Sequence, residues 1–140
     1  MKTLVINTDG GSRGNPGPAA AGVALVMGEC SLYHNRYLGE TTNNVAEYSA
    51  VLDATGLIAS FIEKHGKPDR IEFRLDSQLV ERQLMGIYKI KEPALQVLAA
   101  SVRQGLQSLA SPYTFIYVPR AQNKVADRLV NEALDAYANS

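Results

Sequence analysis

The sequence predicts an α/β fold in which a mixed five-stranded sheet is flanked by helices. Three observations predict it. The first forty residues contain three β-prone runs joined by short, turn-rich connections. Further along, strand-like runs alternate with helix-like ones, which requires crossover connections and parallel strands. Finally, the length of 140 residues fits a single domain, 1–140, with the element order βββαβααβα.

The first three elements are predicted as strands because apolar, β-prone residues dominate them. Between the first two strands lies a stretch, residues 9–18, with four glycines and two prolines, which predicts a tight turn or loop. A Gly-Glu pair at residues 28–29 suits a hairpin between the second and third strands. The three strands are predicted at residues 2–9, 21–27 and 31–38.

The rest of the chain alternates between helical and extended patterns. Apolar residues at spacings of three and four predict a long helix at residues 43–65, which Gly66 and Pro68 end. Residues 71–75 alternate as a strand that runs directly into Asp76. The remaining predicted elements are a short helix at residues 77–84, a helix from Pro93, a strand at 113–118 and a helix at 123–137.

Composition limits the classes of protein that the chain can represent. Fourteen basic and fourteen acidic residues cancel, so net charge alone would not hold a nucleic acid, although an acidic catalytic cluster could mask a basic groove. Cys30 is the only cysteine, which excludes an intrachain disulfide and a cysteine-based zinc site. No apolar run approaches the ~20 residues of a membrane helix, and no signal-peptide core follows Met1. We therefore expect a cytoplasmic protein without a membrane segment.

Four acidic residues lie at the boundaries of predicted elements, namely Asp9, Glu47, Asp76 and Asp127. Each has an ordinary structural explanation. Asp9 precedes a glycine and would open a turn. Glu47 follows Asn44 at the spacing of a capping box, Asp76 could cap the short helix, and Asp127 could be a first-turn acid that the helix dipole favours.

Taken together, the four acids point to a metal site. If the first and fourth strands are parallel neighbours, their ends and the starts of two helices meet at one edge of the sheet. Two like charges 4 Å apart repel by ~4 kcal/mol at an effective dielectric constant of ~20, so such a cluster needs protons or cations. Carboxylate ligands alone select hard ions such as Mg²⁺ or Mn²⁺. Pairs of these ions are typical of phosphodiester hydrolysis.

Four segments, in this order, resemble type 1 ribonuclease H. They are DGGSRGNPGP at residues 9–18, TNNVAE at 42–47, LDS at 75–77, and VP at 118–119 followed by NKVAD at 123–127. The resemblance covers nearly the whole chain, and each segment falls on the predicted element that would carry it. It implies a ribonuclease H-like fold and endonucleolytic hydrolysis of the RNA strand of RNA/DNA hybrids, with 5′-phosphate and 3′-hydroxyl products.

The resemblance also implies a role for individual residues. The four acids would be catalytic and would bind two Mg²⁺ or Mn²⁺ ions. Asn15, Asn43 and Asn44 would contact the minor groove of the hybrid, where amide groups suit the ribose 2′-hydroxyls. Thr42 would belong to a pocket for a phosphate of the DNA strand. Arg120 and Asn123 complete the expected substrate-binding set, and the partner would be the hybrid, bound by a monomer without a protein partner.

Three departures from the family pattern affect this prediction. The loop before Asp127 contains no histidine, so Arg120 or Lys124 would have to replace the histidine that many members carry. Residues 86–91 replace the basic, tryptophan-containing protrusion of other members, which predicts weak substrate affinity with a shallow salt dependence. Glu92 stands where several members use an asparagine in the phosphate pocket, and an acid there is unfavourable.

Two alternatives to a hybrid-cleaving nuclease remain open. A non-catalytic nucleic-acid-binding domain would gain nothing from four acids that face phosphates. A related carboxylate nuclease could cut double-stranded RNA or a DNA junction, although the three asparagines favour a ribose-containing strand. A kinase or dinucleotide enzyme is disfavoured, because the glycine-rich stretch has neither Gly-Lys-Ser/Thr nor the G-x-G-x-x-G spacing.

Overall fold

The computed structural model describes all residues, 1–140, and contains five strands, four α-helices and a 3₁₀ turn. The strands are β1 (Thr3–Ser12), β2 (Gly17–Met27), β3 (Cys30–Thr41), β4 (Arg70–Leu75) and β5 (Tyr113–Tyr117). The helices are α1 (Asn43–His65), α2 (Gln78–Leu84), α3 (Pro93–Gln107) and α4 (Lys124–Ala138), and the 3₁₀ turn is Arg120–Gln122. The predicted element order, βββαβααβα, is confirmed.

The five strands form one mixed sheet in the order β3-β2-β1-β4-β5. The first three strands pair antiparallel through their hairpins, whereas β4 pairs parallel with β1, and β5 pairs parallel with β4. The switch from hairpin to crossover connections occurs between β3 and β4, so β1 is the central strand. The predicted mixed sheet with flanking helices is therefore confirmed.

Helices cover both faces of the sheet. On one face, α1 packs on β1 and β2, and α3 packs on α1. The largest apolar cluster lies there and includes Ile6, Phe73, Tyr48, Ile58 and Val102. On the other face, α4 packs on β2, β3 and β1, with Val130 and Leu134 against Ala20. These two layers fix α1 and α4 relative to the central strand.

Helix α1 owes its apolar character to this burial. Its length and composition alone would allow it to cross a membrane. The sequence analysis, in contrast, predicted no such segment. Nine of its residues are buried against the sheet and neighbouring helices, and Thr42 caps its start. Gly66 ends it in the left-handed region at φ 99°, where its N–H donates to the Ile62 carbonyl, as the sequence predicts.

The glycine-rich stretch differs from its prediction. The first strand does not end at Asp9 but continues to Ser12, and β2 begins at Gly17, so only residues 13–16 form the hairpin loop. Gly10 and Gly11 are strand residues that pair with Ala21 and Ala20. The prediction of a turn or loop across residues 9–18 is therefore wrong for most of the stretch.

Two of the departures from the family pattern lie in connections between elements, and both connections are short. Residues 85–92 join α2 to α3 without a further helix, so the chain lacks the protrusion, as predicted. The segment before α4 is only the 3₁₀ turn Arg120–Gln122 followed by Asn123. No histidine lies there, and His34 instead pairs with Asp53 at 3.5 Å.

Candidate active site

The parallel pairing of β1 and β4 places two acids side by side. The register ends with Thr8 opposite Leu75, and Asp9 and Asp76 are the next residues of the two chains. Beyond this point β1 pairs only with β2, so the edge next to Asp9 is open. The expectation that Asp9 and Asp76 lie at the ends of adjacent parallel strands is confirmed for the pairing, although β1 itself continues past Asp9.

Helix α1 brings Glu47 to this edge because Gly10 allows a close approach. A Cβ atom on Gly10 would lie 2.1 Å from the carbonyl carbon of Ala46 and 2.4 Å from the backbone nitrogen of Glu47. Only a residue without a side chain fits there. The carboxylates of Asp9, Glu47 and Asp76 consequently each offer an oxygen within 4.8 Å of the others.

Asp127 reaches the same cleft from the opposite layer. It lies in the first turn of α4, and a second close approach, that of Gly22 to the carbonyl oxygen of Ala126, brings this helix onto the sheet. Asp127 lines a cleft of about 350 Å³ together with the other three acids, but it lies outside their tighter group. The four predicted acids thus share one cleft, with three in mutual reach.

Capping does not explain these acids. Thr42, not Asn44, caps α1, and its hydroxyl accepts a hydrogen bond from the Val45 N–H at 3.3 Å. Ser77, not Asp76, caps α2 in the same way through the Val80 N–H. The first-turn position of Asp127 is the one ordinary explanation that the structure retains. Glu47 and Asp76 are therefore available for another role.

The charges in the cleft act strongly on one another. Burial, followed by the charges of Asp76 and Asp127, raises the pKa of Asp9 to about 7. Burial and then the charges of Asp9 and Asp76 raise the pKa of Glu47 well above its ordinary value. Asp9 is only 4% exposed and Glu47 only 9%, so water stabilises neither carboxylate well. Without cations, Asp9 and Glu47 therefore keep their protons to a higher pH than ordinary carboxyl groups do.

The donor set fits a hard divalent cation. Oxygen atoms of three carboxylates converge, and no nitrogen or sulfur ligand lies among them. The Oε2 atom of Glu47 is buried and has no hydrogen-bond partner in the protein, which is costly for a carboxylate oxygen unless a proton or a cation binds there. The residues present therefore fit a metal ion.

Comparisons with known proteins agree with this geometry. Residues 7–133 match the family described as reverse transcriptase-like. The chain is 43% identical over 129 residues to ribonuclease HI of Halobacterium salinarum, covering 91% of this chain and 62% of that protein. It is 33% identical to a ribonuclease H of Halorhodospira halophila, covering 91% and 90% of the two chains. It also superimposes on LC11-RNase H1, crystallised with an RNA/DNA hybrid, with a TM-score of 0.88, 41% identity and coverage of 96% and 99%.

The chain belongs to the type 1 ribonuclease H family. It spans 62% of the length of the Halobacterium protein and 37% of the length of a matching bifunctional protein of Mycobacterium tuberculosis. Within the family it has the small form, since the protrusion and the histidine of the last loop are both absent.

Two of the asparagines expected in a ribonuclease H substrate groove join the hairpin loop to α1. The Asn15 side chain accepts a hydrogen bond from the Asn43 N–H at 3.0 Å, and the Asn43 side chain accepts one from the Ser12 N–H at 2.9 Å. Their amide N–H groups donate no hydrogen bond inside the protein, and both residues are exposed. Turn chemistry and substrate contact are therefore compatible at these positions.

Asn44 and Thr42 belong to the start of α1, Asn44 in its first turn and Thr42 as its N-cap. Asn44 lines a second groove of about 500 Å³ together with Lys89, Lys91 and Glu92. Glu92 therefore adds a negative charge beside two lysines, in keeping with the predicted disadvantage for phosphate binding. Thr42 uses its hydroxyl oxygen as a helix cap, which leaves its O–H free to donate.

The two residues predicted in the last loop have different positions. Arg120 is exposed and lines the acidic cleft, as a substrate-binding residue should. Asn123 is only 1% exposed, and its amide makes three hydrogen bonds inside the protein. The prediction of a substrate contact is wrong for Asn123, because it has no free polar group at the surface.

Sequence reasoning missed two polar residues near the acids. Arg13 lines the cleft and is held by Asp135 of α4 at 2.6 Å. Asn7 donates its amide to Asn123 at 2.9 Å. An available signal was the polar residue Asn7, which directly follows the apolar run Leu4-Val5-Ile6 within the predicted strand.

Proposed function

We propose that this chain hydrolyses the RNA strand of RNA/DNA hybrids at internal positions and leaves 5′-phosphate and 3′-hydroxyl ends. The observation that carries the proposal is the group of three carboxylates within 4.8 Å, in a cleft that Asp127 also lines. Similarity along the whole chain to a ribonuclease H1 crystallised with such a hybrid supports the choice of substrate.

Asp9, Glu47, Asp76 and Asp127 would together hold two Mg²⁺ or Mn²⁺ ions. When bound, such ions activate water as the nucleophile and stabilise the leaving oxygen. The buried position of Asp9 and Glu47 strengthens their attraction for cations, because little water competes for them. Because the pKa values of both groups are raised, we expect metal binding to release protons from them.

The start of α1 provides the contacts that would select a ribose-containing strand. Asn43 borders the acidic cleft, and Asn44 borders the adjacent lysine-containing groove. With their amide N–H groups free, Asn15, Asn43 and Asn44 are able to donate to a 2′-hydroxyl or to a base edge in the minor groove. The positions of Asn43 and Asn44, one at each groove, support a path for the hybrid across the start of this helix.

Two arginines would hold phosphates beside the acids. Arg13 and Arg120 are the cationic residues that line the acidic cleft, and both are exposed. Arginine binds phosphate through paired N–H groups and keeps its charge at any physiological pH. Since no histidine lies at this cleft, we infer that solvent water carries the protons away, while Arg120 provides a fixed positive charge beside the acids.

Cleavage of an end-labelled hybrid, with either Mg²⁺ or Mn²⁺, tests the proposal. We expect Asp76→Asn to reduce the cleavage rate by more than ~100-fold, because even indirect partners of metal ligands contribute ~10–100-fold. Glu132→Gln is the matched control, since Glu132 is an exposed acid on α4 that pairs only with Arg128. A wild-type protein inactive with both metals, or full activity in Asp76→Asn, would refute the proposal.

A substrate panel distinguishes the alternatives. We expect cleavage of the hybrid but not of DNA duplexes, because the asparagines contact a ribose-containing strand. Cutting of double-stranded RNA or of a DNA junction at equal rate would favour a related nuclease, and hybrid binding without cutting would favour a binding domain. A monomer and a cytoplasmic location stay predictions, the latter supported by the single free Cys30.

A further inference from the structure

Asn123 is a buried amide directly behind one of the acids. Its Nδ2 donates to the Asp76 Oδ2 atom at 3.0 Å and to the Thr8 carbonyl at 2.9 Å. Thr8 immediately precedes Asp9, so one amide group contacts the ends of both parallel strands that carry acids. Its position at the start of α4, four residues before Asp127, connects this contact to the helix that carries the fourth acid.

Asn7 determines which end of the Asn123 amide faces Asp76. The Nδ2 of Asn7 donates to the Oδ1 of Asn123 at 2.9 Å. If the Asn123 amide were turned over, its oxygen would face the Asp76 carboxylate and its N–H₂ would face the N–H₂ of Asn7. Both contacts would be repulsive. The donor of Asn7 therefore keeps the Asn123 N–H₂ directed at Asp76.

We propose that Asn7 and Asn123 are positioning residues that hold the Asp76 carboxylate in its metal-binding orientation. The inference rests on the proposed function of the four acids as metal ligands. Wherever Asp9 and Glu47 have lost their protons, their negative charges would push an unrestrained Asp76 side chain away from the cleft. A hydrogen bond from a fixed amide opposes this displacement.

A neutral donor suits this task better than a cation. Lysine or arginine behind Asp76 would hold the carboxylate equally well, but its positive charge would oppose a divalent ion in the cleft. An amide restrains the carboxylate without changing the charge of the site. Partners of this kind, one bond removed from a metal, commonly set its affinity.

Replacing the two asparagines by leucine, which has nearly the same shape and no charge, tests the proposal in the full chain. The readout is the dissociation constant for Mn²⁺, measured by isothermal titration calorimetry without substrate. We expect Asn123→Leu to weaken Mn²⁺ binding by about 10–100-fold, and Asn7→Leu, one bond further away, by about 3–10-fold. Because Asn123 is buried and its variant could fail to fold, the partly exposed Asn7 provides the second, independent variant.

Asn35→Leu is the matched control. Asn35 also lies on a strand and donates its amide to α4, at the Leu129 carbonyl, but it contacts no acid. We expect wild-type Mn²⁺ affinity in this variant. In hybrid cleavage, the Asn7→Leu rate should return toward the wild-type rate at saturating Mn²⁺, as expected for a defect in metal affinity.

The two proposals fail in distinguishable ways. Unchanged Mn²⁺ affinity in folded Asn7→Leu and Asn123→Leu would overturn the positioning role, whatever the activity. Equal weakening in Asn35→Leu would also overturn it, since the loss would then be a general effect of a lost contact with α4. If the wild-type protein binds Mn²⁺ but cuts no hybrid, the proposed function fails while the calorimetric comparison still decides the positioning role.

Discussion

The buried carboxyl group of Asp9 makes the stability of the metal-free protein depend on pH. Burial and the neighbouring charges of Asp76 and Asp127 raise its pKa to about 7. A side chain whose pKa is raised on folding stabilises the folded state only while it is protonated. That contribution is complete below the unfolded-state pKa near 4 and is lost as the pH rises through about 7.

We therefore predict that Asp9→Asn stabilises the metal-free protein increasingly as the pH rises from 5 to 8. One pKa unit corresponds to about 1.4 kcal/mol, so even half of the shift at Asp9 would change the free energy of unfolding by ~2 kcal/mol. Urea unfolding of both proteins in EDTA, at several pH values, measures the difference. Saturating Mn²⁺ should reverse the order, because the ion stabilises only the form that binds it.

A difference between the two proteins that does not vary with pH would contradict this prediction. Titrating groups that do not interact with Asp9 are common to wild type and variant, so their contributions cancel in the comparison. Burial and the charge of Asp9 raise the pKa of Glu47, so removing that charge lowers this pKa toward its ordinary value and adds to the stabilisation of the variant at higher pH. The predicted trend therefore reports on the pair of buried carboxyl groups.

Individual residues were predictable from sequence where their role follows from an element boundary. Asp76 and Glu47 lie near strand and helix ends that the apolar pattern already fixes. The role of Asn123 was not predictable, because it depends on a side-chain contact with Asn7, 116 positions away along the chain. Periodicity carries no information about such a contact.

At the scale of elements, β1 was predicted too short because glycine has two different uses. Sequence reasoning treats a glycine cluster as a turn, but Gly10 is an extended residue over which α1 passes closely. Only the structure distinguishes the need for an unusual backbone angle from the need for space. Gly14, with φ 105°, is the residue of this stretch that the turn itself requires.

We predict that Gly10→Ala destabilises the protein and disturbs Glu47, whereas Gly11→Ala is tolerated. A Cβ on Gly10 would meet the α1 backbone at 2.1 Å, so the helix must shift, at a cost of at least ~1–3 kcal/mol. A Cβ on Gly11 would meet only the Val130 side chain, at 3.7 Å. Thermal unfolding and Mn²⁺ affinity should both fall in the first variant alone. Equal stability of the two variants would show that α1 can move without loss.

For the whole molecule, the balance of charge hides an uneven distribution. The formal net charge is zero, yet four acids share one cleft, with Arg13 and Arg120 beside them and Lys89 and Lys91 in the next groove. Sequence reasoning predicted the acids as a group because the sheet topology brings strand ends together. Among the basic residues it named Arg120, but it could not place Arg13, Lys89 and Lys91, because their grooves depend on how loops pack.

This distribution predicts a shallow salt dependence of hybrid binding. Four cations near the path of the hybrid give a slope of log affinity against log salt of at most about −3.6, at ~0.9 per phosphate contact. The double substitution Lys89→Ala, Lys91→Ala should make the slope shallower by about 2, since each lost phosphate contact removes about 1.

Fluorescence anisotropy with a labelled hybrid, in an Asp76→Asn background that does not cut it, measures the slope. Lys67→Ala, before the start of β4 and hence at the end of the sheet opposite the acids, should leave it unchanged. A slope steeper than about −6, or no change in the double variant, would mean that the hybrid contacts a different face of the molecule.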